Sequence, residues 1–106
     1  MILSSFKNVE VTKESNIYFD GKVVSYSVGF DDGSVKTLGV MQIGEYEFST
    51  ADAEIMDILN GELDVTLPDA TESIVIKGGE SFDVPANSKF RVNVKVIADY
   101  CCTYIK

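Results

Sequence analysis

A chain of 106 residues accommodates one domain with a modest core. Its 45% hydrophobic and 25% charged content is that of an ordinary globular protein, and it contains no run of about 18 apolar residues that would make a membrane-spanning helix. Seventeen acidic residues face nine basic ones, a formal net charge of −8, with lysines scattered singly and Arg91 the sole arginine; no basic patch exists to neutralise the phosphates of a nucleic-acid polymer, so an anion must be held locally, by one or two cations or by backbone N–H groups.

The first residues, MILSSFKNVEVTKES, lack the basic start and long apolar stretch of a signal peptide, which points to the cytoplasm; residues 1–15 read as an extra strand or a short helix. From there the chain reads as strands. KVVSYSVGF, residues 22–30, is β-branched and aromatic and closes on the turn Asp31-Asp32-Gly33. VKTLGVMQI, residues 35–43, stops at Gly44, and YEFST then passes through Ala51-Asp52-Ala53 into EIMDIL. Asn60-Gly61 predicts a two-residue type I′ hairpin, because both of its turn positions need positive φ, with ELDVTL as the return strand up to Pro68-Asp69. IVI, the turn Lys77-Gly78-Gly79, SFDV, Pro85, KFRVNVKVI and ADYCCTYI complete the series.

Eight or so short strands with no helical stripe predict an all-β sandwich or barrel. In KFRVNVKVI the alternation places Phe90, Val92, Val94 and Val96 inward and Arg91, Asn93 and Lys95 outward, a register that a one-residue slip would destroy. Cys101 and Cys102 point to opposite faces of a strand, where a disulfide between them is awkward and two thiols make a poor metal site; reduced strand cysteines are expected.

Two spacings carry a resemblance. Gly79, five residues, Pro85, then Asn87 and Phe90 match the second motif of the cupins, in which a histidine ligand falls at position 90. Glu54 and Gly61 match the end of the first cupin motif, whose two histidines would fall at Phe48 and Thr50. The chain has no histidine, and two phenyl rings, one hydroxyl and one carboxylate cannot hold a transition metal. YFDGKV, LGVMQIGEYEFSTADAEIMDILNGELDVTLPDAT and GGESFDVPANSKFRV further resemble the small-cupin pyrimidine/purine nucleoside phosphorylase family. The resemblance covers residues 16–106 as one cupin domain, a mostly antiparallel jelly-roll β-barrel, and leaves residues 1–15 as an extension outside it. It implies a metal-independent pentosyltransferase, broad across purine and pyrimidine nucleosides. Nucleoside plus inorganic phosphate would give free base plus pentose 1-phosphate, with no cofactor.

Breaking a C–N glycosidic bond builds oxocarbenium character on the sugar, while phosphate is itself the nucleophile, so positioning and preorganised electrostatics suffice without histidine. Glu54 is the first candidate: an interior carboxylate needs a reason, either as acceptor for ribose hydroxyls or as a core group satisfied by Lys36 or a tyrosine. Tyr46, Phe48 and Phe90 are candidates for stacking on the base, which suits broad specificity, or are barrel core. Lys36, in phase with Leu38 and Val40, is the leading phosphate ligand if that face is interior, and otherwise a lysine reaching solvent; Ser49 and Thr50 add hydroxyls, and Lys22 and Arg91 rank below. Asp52 and Asp57 read as solvated.

Two rival readings stand beside the phosphorylase: a non-catalytic cupin module that binds a sugar or nucleoside, and a metal-independent sugar isomerase or epimerase. Exposed strand edges and a small core predict a homodimer, with the apolar residues Met1 to Phe6 at the contact.

Overall fold

The computed structural model describes residues 5–106. Among them nine strands follow one another: β1 Glu10–Val11, β2 Asn16–Tyr18, β3 Val23–Gly29, β4 Val35–Met41, β5 Gly44–Ser49, β6 Ala53–Thr66, β7 Ile74–Lys77, β8 Ser81–Val84 and β9 Lys89–Ile105. All pairings are antiparallel. The expected dimer contact at Met1 to Phe6 falls mostly outside the described residues; Phe6 itself packs edge-on against Phe30, ring centroids 5.1 Å apart.

The architecture rests on β6 and β9, which pair with each other along most of their lengths. The first half of β9 also pairs with β5 and its second half with β4, while β6 pairs with β8 and then with β7. Each long strand therefore serves two sheets, and the sheet curls into a roll. The place of bending is an irregular register between Ile58 and Leu63, a bulge of the kind that increases local twist.

Asn60-Gly61 sits in that bulge, so the predicted two-residue hairpin is corrected: β6 continues through it. Of the two positive φ angles expected, only that of Gly61 is present, at +98°, and its cause is close approach rather than chain reversal. A Cβ at Gly61 would stand 2.4 Å from the Ile97 carbonyl oxygen and 2.8 Å from the Ala98 Cα. The bulge also reverses the inward phase of β6, from Glu54, Met56 and Ile58 before it to Leu63 and Val65 after it.

β9 keeps the phase predicted for it at Phe90, Val92 and Val94, all buried, but Val96 is 51% exposed opposite the bulge. KFRVNVKVI and ADYCCTYI are thus one strand of 17 residues, not two. Beyond the bulge the even-numbered residues face inward again as Ala98, Tyr100 and Cys102.

A short turn, Phe19–Gly21, joins β2 to β3 and has positive φ at three consecutive residues: 51° at Phe19, 56° at Asp20 and 90° at Gly21. Glycine adopts this region freely and aspartate tolerates it. For a bulky residue such as Phe19 it is an outlier, costing about 1–2 kcal/mol that the surroundings must offset.

Candidate functional site

Where the two sheets of the roll part, a cavity of about 250 Å³ opens, slightly below the roughly 300–1,000 Å³ usual for small-molecule sites. β9 forms one wall with Phe90, Tyr100, Cys102 and Tyr104; β3 and β4 contribute Ser25, Thr37 and Met41; β6 contributes Glu54 and Met56. Phe48 and Ser49 close it from β5, and Tyr18 from the end of β2. None of the lining residues is lysine or arginine.

Tyr100 owes its place to Gly39. The two are cross-strand partners, and a Cβ at Gly39 would lie 2.7 Å from the Tyr100 ring and 2.6 Å from the Val24 carbonyl oxygen. The missing side chain is therefore what lets the phenol lie flat on β4 and turn its hydroxyl into the cavity.

The polar groups fall into two neighbouring sets. Thr37, Tyr104, Cys102 and Glu54 lie close enough along one wall to shift the titration of the ionisable groups among them. In the other set, Asn16 Nδ2 donates to Ser25 Oγ at 3.2 Å, and Ser25 adjoins Tyr100. Burial is the first cause of every shift here. It raises the Glu54 carboxyl, the neighbouring Cys102 lowers it in part, and Asp52 nearby raises it further. Burial, with Glu54 beside it, pushes the Cys102 thiol up to about 12. Tyr104 likewise rises to about 12, and Tyr100 rises as well. At neutral pH the site presents one carboxyl group and a ring of un-ionised donors.

Of the residues predicted from sequence, Glu54, Phe48, Ser49 and Phe90 are brought together at this cavity. Phe48 and Phe90 are cross-strand partners whose rings stack, with centroids 5.5 Å apart. Three others are placed elsewhere. The inward face of β4 carries Thr37 and Met41, so Lys36 points outward with Leu38 and Val40, its ammonium 5.6 Å from the Phe6 ring and 5.7 Å from the Phe30 ring. Thr50 lies past the end of β5 and staples two loops: its hydroxyl donates to the Pro85 carbonyl at 2.7 Å and accepts from the Ser88 N–H at 3.1 Å. Tyr46 is buried one layer behind the cavity, its hydroxyl donating to the Gln42 carbonyl at 2.8 Å.

Sequence reasoning missed Tyr18, Ser25, Thr37, Tyr100, Cys102 and Tyr104. For the last three the signal was present: counting in twos from Phe90 along β9 reaches each of them. A larger groove of about 500 Å³ on the outer faces of β5, β6 and β9 holds Arg91, among Glu45, Glu47 and Asp64. Three carboxylates around one guanidinium do not make an anion site.

A roll of antiparallel strands around an inner cavity, its two long strands shared between sheets, is a cupin. A solved cupin structure from Shewanella frigidimarina superposes with a TM-score of 0.68 over 94% of this chain and 86% of its own, at 19% identity, a likeness in fold alone. The profile of the pyrimidine/purine nucleoside phosphorylase family matches residues 13–104, and the chain belongs to that family. A protein of that name from Sulfurovum sp. (strain NBC37-1) is 60% identical over 103 residues, 97% of this chain and 100% of the relative. One from Geobacter sp. (strain M21) is 56% identical over the same coverage. A crystal structure from Acinetobacter sp. ADP1, described as a protein of unknown function, matches with a TM-score of 0.93 and 41% identity, covering 95% of this chain and 98% of its own.

Many cupins hold a metal at the positions occupied here by Phe48, Thr50, Glu54 and Phe90. Of these only Glu54 offers a ligand to the cavity, and among the described residues no group of three or more His, Cys, Asp or Glu side chains gathers. This donor set does not fit a metal ion.

Proposed function

We propose that this protein is a metal-independent nucleoside phosphorylase that accepts purine and pyrimidine nucleosides. The observation that carries the reading is the cavity's division of labour in a chain of this family: stacked phenyl rings beside hydroxyls and one carboxyl group. Phe48 and Phe90 give the base an apolar wall that reads its π face rather than its edge pattern, which suits both base classes. Glu54 accepts from the ribose hydroxyls, with the thiol of Cys102 beside it in the wall. Phosphate attacks C1′ as the C1′–N bond breaks. The bonding pair leaves with the base, and the proton shed by the phosphate ends on the base nitrogen. Hydroxyls of Ser25, Thr37, Tyr100 and Tyr104 hold the phosphate and sugar oxygens in line.

Phosphorolysis predicts release of hypoxanthine from inosine and uracil from uridine by the purified protein, in each case only when inorganic phosphate is present, as read by chromatography. Release without phosphate, or no release, contradicts it. The cation-free wall favours one alternative, a non-catalytic module for a neutral sugar or nucleoside; binding without turnover is its signature.

A further inference from the structure

The β2–β3 turn holds an aromatic side chain at the mouth of the cavity. Tyr18 is the last residue of β2, on the same face as Asn16, whose side chain reaches Ser25. It lines the cavity yet remains 47% exposed, so it stands at the rim. The hydroxyl lies near enough to Tyr100 to contribute to the upward shift of that phenol. Ile17, its neighbour, points the other way and is 65% exposed.

Immediately after Tyr18 the backbone enters the left-handed stretch at Phe19, Asp20 and Gly21. The Phe19 ring lies 4.9 Å from Tyr46 and 5.5 Å, edge-on, from Phe48, centroid to centroid. These contacts tie the turn to the aromatic cluster that backs the cavity, since Phe48 in turn stacks on Phe90. The hydroxyl of Tyr46, bonded to Gln42, holds the cluster in place from behind. A phenylalanine kept in a costly conformation persists only when its surroundings over-determine it, and such residues concentrate where geometry matters for function. An ordinary two-residue hairpin turn would end the strands without this arrangement.

We propose that Tyr18 contacts the nucleoside at the mouth of the cavity, and that the Phe19–Gly21 turn, anchored by Phe19 on Tyr46 and Phe48, is what positions it. Tyr18 is the substrate-contacting residue, its ring adding apolar surface against the guest. Phe19 is a positioning residue that acts through Tyr18 and Phe48. The proposal rests on the phosphorylase reading of the cavity.

Steady-state kinetics with inosine and uridine test it. Tyr18→Ala should raise KM for both nucleosides about tenfold, with kcat within about threefold, KM for phosphate unchanged and the melting temperature nearly intact, because the ring is half exposed. Tyr18→Phe should restore the nucleoside KM. Phe19→Ala should raise the nucleoside KM similarly, and Phe19→Tyr should rescue it; Ile17→Ser, on the outer face, should match the wild type. A wild-type nucleoside KM in Tyr18→Ala overturns the proposal, as does an equal rise in the phosphate KM; should Phe19→Ala fail to fold, the Tyr18 variants still decide. If the wild type turns over no nucleoside, the phosphorylase reading fails instead. Isothermal titration with inosine then decides the Tyr18 contact: weaker binding by Tyr18→Ala upholds it, and unchanged or absent binding ends it.

Discussion

Phe48 and Phe90 face each other across the β5–β9 pair, their rings stacked 5.5 Å apart and 28° from parallel, at two of the positions where a metal-binding cupin carries histidine. The scaffold's ligand positions have become a ring wall. Replacing Phe48 by leucine keeps apolar volume but removes a π face, and a base–ring contact is worth about 1–3 kcal/mol. Phe48→Leu should therefore raise the KM for inosine and uridine together by roughly 5- to 140-fold, with little change in melting temperature. A change confined to one base class would show that the wall reads edges rather than faces.

Glu54 is the only carboxylic acid among the described residues of the cavity wall, and burial holds its carboxyl above the ordinary 4.5. A raised acid pKa means that the folded state keeps a proton after the unfolded chain has released it. Its stabilising contribution is full below 4.5 and is lost as pH climbs through the higher folded value. Melting temperatures measured from pH 4 upward should fall in the wild type relative to Glu54→Gln as the carboxyl ionises. The same variant should lower kcat by about 100-fold, the scale of removing one well-placed polar group, while remaining folded. Unfolding of Glu54→Gln at neutral pH would make the residue structural.

Cys102 lines the cavity beside Tyr104 and Glu54, and burial holds its thiol near 12. Cys102→Ser keeps a donor beside Glu54 and Cys102→Ala removes it. A single neutral hydrogen bond is worth about 1 kcal/mol, so the alanine variant should lose roughly fivefold in kcat and the serine variant far less. Both cysteines are buried and un-ionised at neutral pH, and iodoacetamide at pH 8 should label neither until urea unfolds the chain. Rapid labelling of the native protein would contradict the geometry.

Thr50 offers the converse test. Its hydroxyl ties the end of β5 to the loop after β8 through Pro85 and Ser88. Thr50→Val should cost about 1–3 kcal/mol by stranding those partners, a drop of several degrees in melting temperature, and leave the nucleoside KM unaltered. A raised KM at constant stability would return Thr50 to the substrate wall.

What could be read from the residues divides along physical lines. The alternation in β9 was legible because polar and apolar residues strictly alternate from Lys89 to Lys95, and only one register keeps the charges wet. Lys36 was misplaced because the outer face of β4 carries the apolar pair Leu38 and Val40, which reads as interior, while the true inner face carries Thr37 and Met41. Thr50 was carried inward by the motif spacing that pairs it with Phe48, although β5 ends at Ser49. Asn60-Gly61 had the chemistry of a turn and the neighbours of a bulge, a difference decided by Ile97 and Ala98, far away in sequence. Tyr18 and Phe19 gave no periodic signal at all, because their roles come from a turn that leaves the regular regions of backbone space.

Phosphorus NMR of protein dialysed against a chelator, supplied with phosphate and either inosine or uridine, tests the central claim most directly. A pentose 1-phosphate resonance should grow with both nucleosides, without added metal. No new resonance, or one that appears only when a divalent ion is restored, would contradict it.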